Sequence, residues 1–165
     1  MLDTDRRFAV TAPFGHTWPG LAAHRATTTS PDQLAAEFAQ EFCADHPQVR
    51  LELVAAASGA EALTAVGCAG PLPLRPRHRE VLHGRLRLGT PVRTGSVRRP
   101  CRRRRVFPLH LSVAAPPADE REALLVSAEH FAFCPDNIWQ GSSPYTLAAY
   151  AERITGARRR DFWWD

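Results

Sequence analysis

The chain is divided by a strongly basic stretch in its middle. Twelve of the 21 arginines lie between Cys68 and Arg105, with Glu80 as the only acidic residue among them, which gives this stretch a formal charge of +11. The rest of the 165-residue chain carries −7. Guanidinium groups are rarely buried without paired charges. The sequence therefore predicts two structured parts on either side of an arginine-rich, unstructured segment, 74–106.

The part that precedes this segment, 30–73, carries clear helix and strand signals. Ser30 is followed by a proline and, three residues on, by a glutamine, which is typical of a helix start. Apolar residues then recur every four positions until Pro47, where the helix is expected to end. Alternating residues predict a strand over 49–53, and a second capping pattern predicts a helix over 58–67.

The part that follows, 107–165, has equally regular signals. They predict, in order, a strand over 109–113, a helix capped by Asp119 with Glu122, a helix capped by Ser143-Pro144 that ends at Gly156, and a closing strand over 161–165. By contrast, residues 1–29 are turn-rich and are predicted to be irregular, with a short strand at Phe8 and Val10. The fold class expected is α/β: a single small domain with helices packed on a small mixed sheet and a disrupted middle segment.

The second half also resembles a known family. The residues that carry the resemblance are Ala128-Glu-His-Phe-Ala-Phe-Cys-Pro-Asp-Asn-Ile-Trp-Gln-Gly141 and the terminal Phe162-Trp-Trp-Asp165, together with Ser58 to Thr64 and Leu109 to Pro117. They are similar to the domain of unknown function 4253 family, which is common in high-GC bacteria. The resemblance covers roughly 50–73 and 107–165. It implies a small α/β domain without an established activity.

The same resemblance implies an acidic helix and a valine-rich strand where this chain has its arginine-rich segment. One extra base near Pro73 accounts for the difference. Synonymous codons for Leu74 to Arg93, read one base later, can encode a peptide that ends in Asp-Trp-Glu-His-Arg-Phe-Gly, the pattern that the family resemblance implies there. A compensating shift near Phe107 would restore the frame. The favoured interpretation is that residues 74–106 are frame-shifted and that this is a degraded copy; the alternatives are a solvated or disordered basic loop and an evolved nucleic-acid arm.

Three residues are the candidates for chemistry: His130, Cys134 and Asp136. The first two lie four residues apart, a spacing that puts both on one helix face. One interpretation is a small hydrolase with a Cys–His nucleophile pair, or a metal-dependent enzyme. The alternative is that Cys134 is a small buried residue and His130 a hydrogen-bonded one. A metal needs three or four ligands, and we predict no metal site and no cofactor.

Two further sets of residues are candidates for binding. Ligand or protein contacts are expected at tryptophans and a glutamine, because tryptophan combines a broad apolar face with one donor: Trp139, Gln140, Trp163 and Trp164. Nucleic acid is expected to bind, if at all, at six arginines: Arg98, Arg99, Arg102, Arg103, Arg104 and Arg105. The segment lacks the interleaved aromatic residues of a nucleic-acid platform, so nucleic acid is the less favoured partner.

The function class favoured by these observations is a non-enzymatic binding or protein-interaction module. No catalytic motif is recognisable, so enzymatic activity is left open. The four cysteines are widely spaced and form no Cys-x-x-Cys, which indicates a reduced, cytoplasmic setting. No stretch has the length of a membrane helix, so no membrane partner is expected. The partner expected is another protein.

Overall fold

The computed structural model of the protein describes residues 4–23, 25–27, 29–48, 94–95, 109–141 and 143–163. Five helices and three strands are described. They are α1 (Thr4–Thr11), α2 (Pro31–Asp45), β1 (Thr94–Gly95), β2 (Leu109–Ser112), α3 (Glu120–Phe133), α4 (Asp136–Trp139), α5 (Leu147–Ile154) and β3 (Arg159–Phe162). The α/β class predicted from the sequence is thus confirmed. None of the described helices has both the length and the apolar character needed to cross a bilayer.

The chain divides into two compact units, each built from segments that are distant in sequence. The first, which we call the helical unit, comprises Met1–Ala23 and Pro116–Ala157. The second, the sheet unit, comprises His24–Ala115 and Arg158–Asp165. The predicted second half, 107–165, therefore contributes to both units.

The core of the helical unit lies where α3 and α5 pack against each other. On α5, Leu147, Tyr150, Ala151 and Ile154 are buried, and this i, i+3, i+4, i+7 spacing gives the helix one apolar face. Ala123, Ala128 and Ile138 join the same core, as does Val10 from α1.

The helix starts and stops of this unit follow mostly from local chemistry. Asp119 caps α3 as predicted, because its carboxylate accepts a hydrogen bond from the backbone N–H of Glu122 at 2.8 Å. Gly156 follows the end of α5 with a φ of +68°, a left-handed conformation that favours glycine. The predicted start of α5 at Ser143-Pro144 is wrong: the N-cap is Thr146, whose hydroxyl accepts from the N–H of Ala149.

The N-terminal prediction is also corrected. Residues 4–11 form helix α1, so Phe8 and Val10 lie in a helix and not in a strand or an irregular segment. Only Val10 of this pair is buried, at 8 % exposure, while Phe8 is exposed. The packing of Val10 into the core of the helical unit joins residues distant in sequence, and a local sequence pattern does not reveal such a contact.

The sheet unit combines α2 with three antiparallel strands in the order β1-β2-β3. Both described strand pairs are antiparallel, so the described sheet is not mixed. Ser30 caps α2 as predicted, and the helix ends at Asp45, before Pro47. The closing strand begins two residues earlier than predicted, and Leu109, Leu111 and Phe162 are buried.

Several predictions lie outside the described residues. They are the strand at 49–53, the helix at 58–67 and nearly all of the arginine-rich segment 74–106. The exception is β1, whose two residues pair with Leu111 and His110 of β2.

Candidate functional site

The sequence between α3 and α5 folds into a tight turn that carries most of the candidate residues. Cys134 ends α3, and its backbone N–H donates to the carbonyl of His130 at 2.7 Å. Two residues later α4 begins at Asp136 and runs for a single turn. The backbone N–H of Asn137 donates to the carbonyl of Cys134 at 3.3 Å. The candidates His130, Cys134 and Asp136 are thus held in one compact stretch.

A hydrogen-bonded group of buried side chains occupies the inner side of this turn. We call His130, Cys134, Asn137 and Tyr150 the buried polar cluster. Nδ1 of His130 and the hydroxyl of Tyr150 share a hydrogen bond at 3.0 Å. Nδ2 of Asn137 donates to the same hydroxyl at 3.5 Å, and Sγ of Cys134 donates to Oδ1 of Asn137 at 3.4 Å. The cluster joins α3, α4 and α5 by polar contacts inside an apolar core.

Burial determines what this cluster can do chemically. Cys134 is 0 % exposed and His130 is 1 % exposed. A nucleophilic thiol must reach its substrate, and a buried cysteine behaves as a small apolar group with a weak donor. In this conformation the pair is closed to substrate, and its hydrogen bonds to Asn137 and Tyr150 fix the packing of the three helices.

Asp136 is the third candidate for chemistry, and its side chain makes a local contact. Its Oδ1 accepts a hydrogen bond from Nε2 of Gln140, one turn further on, at 3.2 Å. Both side chains of this hydrogen bond, Asp136 and Gln140, are candidate residues from the sequence analysis, and Gln140 is exposed. Within the described part of the chain, no group of three or more His, Cys, Asp or Glu residues could hold a metal ion.

Trp139, the last residue of α4, also faces solvent. It is 43 % exposed, and its ring makes an edge contact with Phe131 at a centroid distance of 5.3 Å. The turn that follows requires Gly141: a Cβ atom there would lie 2.4 Å from the carbonyl oxygen of Asn137. The indole of Trp139 is therefore presented on a turn of fixed geometry.

Of the remaining predicted binding residues, Trp163 is the one that lies among the described residues. Trp163 is partly buried and follows β3 in the sheet unit. Trp164 and the six arginines at 98, 99 and 102–105 lie outside the described residues.

Glu129 is a titratable residue of the helical unit that the sequence analysis did not select. Burial raises its pKa to about 7, and the backbone N–H of Ala22, which donates to its Oε1 at 2.6 Å, lowers the pKa by less. The local sequence around Glu129 did not indicate the raised pKa or the hydrogen bond, because Ala22 and Glu129 lie 107 positions apart in the chain.

The sheet unit has a polar group of its own, which sequence patterns also did not indicate. Nδ1 of His110 forms a hydrogen bond with Oδ1 of Asp161 on the neighbouring strand, at a distance of 2.5 Å. Nε of Arg159 donates a hydrogen bond to the same oxygen at 2.8 Å. The guanidinium of Arg159 lies over the ring of Phe42 at 5.5 Å, and the His110 ring is 4.7 Å from the same ring. Burial raises the pKa of Asp161, but the hydrogen bonds from His110 and Arg159 and their positive charges outweigh it and hold the pKa below its usual value.

The alternation of β2 and β3 explains how these side chains meet. His110 lies directly opposite Asp161 in the strand register, and Leu111 lies opposite Arg160. Successive residues of a strand point to opposite faces. The polar pair therefore shares the face on which Phe42 of α2 lies, and it ties the helix to the sheet.

The chain was compared with curated proteins, with solved structures and with protein-family models, and a family model matched part of it. No curated protein and no solved structure matches the chain significantly. Residues 50–73, where the sequence also suggested a family resemblance, lie outside the matched range, and the resemblance there remains a prediction. Residues 107–165 match the model of the family described as domain of unknown function (DUF4253), which confirms for this part of the chain the resemblance predicted from its sequence.

Proposed function

We propose that the protein is a non-enzymatic binding module that acts in the cytoplasm and contacts a partner protein through Trp139 and Tyr145. The observation that supports this most is the contrast in solvent exposure between two sets of side chains near the turn between α3 and α5. The chemically reactive residues, His130 and Cys134, are buried, whereas the two large aromatic residues are 43 % and 48 % exposed. Tryptophan and tyrosine are the residue types that most often dominate the energy of protein interfaces.

The helical unit carries further exposed apolar side chains, which support a binding role. Phe8, Trp18 and Leu21 are 44 %, 52 % and 37 % exposed. Single exposed apolar residues are ordinary, but five large ones among the described residues of one unit offer several apolar side chains to a partner. We restrict the proposal to Trp139, which lies in α4, and Tyr145, which directly precedes the N-cap residue Thr146 of α5.

A paired affinity experiment tests the interface. Full-length protein would serve as bait in three forms: wild type, Trp139→Ala with Tyr145→Ala, and a control with Arg121→Ala and Glu152→Ala, two exposed charged residues of the same unit. We expect a partner that both wild type and the control retain and the aromatic variant loses. Calorimetry with the purified partner should then give at least ~10-fold weaker binding for the aromatic variant. Equal binding by all three forms would refute the proposed contact.

The alternative function is a hydrolase or metal-dependent enzyme that uses His130, Cys134 and Asp136. Elemental analysis of the purified protein separates it from the binding module. The binding proposal predicts no stoichiometric metal. One equivalent of bound zinc that is lost in Cys134→Ala would overturn that proposal and favour the enzyme.

We further propose that codons 74–106 are read out of the ancestral frame. Support comes from the +11 charge of the surrounding stretch 68–105 and from the family pattern that a one-base shift can encode with permitted synonymous codons. Genomic DNA across codons 70–110 provides the test. If the shifted frame contains stop codons or encodes an unrelated peptide, the arginine-rich segment is native sequence, and its role in binding nucleic acid becomes the question to measure by salt dependence.

A further inference from the structure

The sheet unit presents an imidazole that is hydrogen-bonded at one ring nitrogen and not at the other. Nδ1 of His110 forms a hydrogen bond with Oδ1 of Asp161 at 2.5 Å, and the described part of the chain shows no hydrogen bond to Nε2. A fully buried Nε2 would then be an unsatisfied polar atom, and among the described residues His110 has no such atom. The side chain is 15 % exposed. Nε2 of His110 therefore reaches the protein surface.

The carboxylate of Asp161 determines where His110 carries its proton. Because Asp161 accepts a hydrogen bond from Nδ1, neutral His110 is protonated there and keeps a lone pair on Nε2. The pKa of Asp161 is lowered, so it is ionised near neutral pH: burial raises this pKa, but the hydrogen bonds and charges of His110 and Arg159 lower it by more. An ionised carboxylate at Nδ1 also stabilises positive charge on the ring. Both effects make Nε2 a better nucleophile.

A guanidinium group is held beside this imidazole. Nε of Arg159 donates to the same oxygen of Asp161, and its guanidinium lies over the ring of Phe42 at 5.5 Å. Nη2 of Arg159 is 3.4 Å from Nδ1 of His110, so the two side chains are in contact. The Arg159 side chain is 44 % exposed, which leaves N–H donors for an anion from solvent. The oxygens of a phosphoryl group are the acceptors that a guanidinium matches best, together with carboxylates.

A carboxylate–imidazole pair can act as a general base or as a nucleophile, and the neighbours of His110 favour the second role. A histidine that activates a hydroxyl or thiol side chain needs it within hydrogen-bond reach. In the described part of the chain, no serine, threonine or cysteine side chain forms a hydrogen bond with His110. The group that Asp161 activates is therefore the imidazole itself.

We propose that Nε2 of His110 accepts a phosphoryl group, with Asp161 and Arg159 as positioning residues. The Nε2 lone pair attacks the phosphorus of a donor that contains a P–N or acyl-phosphate bond. An N–P bond forms, and the donor bond breaks with its electron pair on the departing nitrogen or oxygen. The Nδ1 proton stays on the ring, which becomes a cation beside Asp161, and the Arg159 guanidinium binds the transferred oxygens. The site lies in the sheet unit and is independent of the proposed contact through Trp139 and Tyr145.

Phosphoramidate, a small donor with a P–N bond, tests this nucleophile in the full-length chain. Its reaction with Nε2 releases ammonia, so no partner protein is needed. Phosphorus NMR at neutral pH and mass spectrometry of peptides follow the labelling and distinguish the seven histidines. His46 is the internal control, because its ring also packs on Phe42, at 4.5 Å, and it is exposed. Among the described residues no carboxylate forms an ion pair with His46.

In the wild-type protein, His110 should be labelled about 10-fold faster than His46 although it is less exposed. Asp161→Asn should slow the labelling of His110 about 10-fold and leave the rate at His46 unchanged. A merely structural role of Asp161 gives the opposite sign, because local loosening would expose His110 and speed its labelling. The proposal is overturned if His46 is labelled as fast as His110, or if Asp161→Asn does not slow the labelling of His110.

Discussion

Replacing Tyr150 by phenylalanine tests whether the buried polar cluster stabilises the helical unit. The substitution removes one hydroxyl and leaves the ring in the core. That hydroxyl shares a hydrogen bond with Nδ1 of His130 at 3.0 Å and accepts one from Asn137 at 3.5 Å. All three side chains are at most 7 % exposed, so water cannot readily replace the lost oxygen.

The expected size of the effect follows from these distances. The bond at 3.0 Å is of ordinary length and contributes about 1 kcal/mol, while the bond at 3.5 Å is at the limit of the geometry and contributes little. Leaving buried nitrogen atoms of His130 and Asn137 without this oxygen adds about 1 kcal/mol or more. We expect Tyr150→Phe to lower the free energy of unfolding by about 2 kcal/mol.

The chain provides a matched control for the same chemical change. Tyr145 is 48 % exposed, so Tyr145→Phe should change the free energy of unfolding by less than about 0.5 kcal/mol. Urea denaturation at pH 7, followed by circular dichroism, measures both. With a slope of about 2 kcal/mol/M, the Tyr150 variant should lose about 1 M in its midpoint. If its stability lies within about 0.5 kcal/mol of the Tyr145 variant, the cluster does not stabilise the unit and our argument is wrong.

Three other predictions follow from single positions. Gly141→Ala places a Cβ atom 2.4 Å from the Asn137 carbonyl oxygen and should cost about 2 kcal/mol or more in thermal unfolding; an unchanged Tm would contradict the tight turn. Asp161→Asn should destabilise the protein by less than about 1 kcal/mol at pH 7, and the effect should shrink as pH falls below 3.8: a lowered carboxyl pKa stabilises above the unfolded value of 3.8, and this contribution is lost as pH falls through the folded pKa. Cys43, partly exposed, should react with a maleimide faster than the buried Cys134 in peptide-resolved labelling, and equal rates would show that the cluster opens readily.

Local chemistry accounts for the elements that the sequence predicted well. Ser30 and Asp119 cap helices because their side-chain oxygens reach backbone N–H groups three residues away, a relation that lies wholly within a short stretch of sequence. Gly156 likewise terminates α5 through its own backbone conformation. Each of these signals depends on neighbours along the chain.

Contacts between distant segments explain what the sequence could not predict. In helix α1, Val10 packs into a core that residues from Ala123 to Ile154 form, and this contact lies far from α1 in sequence. The sequence pattern indicates only that Tyr150 is one of several apolar positions on α5, and it does not reveal that the Tyr150 hydroxyl belongs to the buried polar cluster. Asp161 looks like an ordinary strand residue until the register puts it opposite His110.

The discontinuous helical unit also affects how the chain folds during synthesis. Val10 belongs to the same core as Ala123 and Ile154, so its native contacts cannot form until nearly the whole chain has been made. At typical translation rates the wait is roughly 5 to 30 s. Throughout that interval the N-terminal residues lack their core partners, and closing so long a loop slows folding further. Newly made protein should therefore depend on chaperones more than its size suggests.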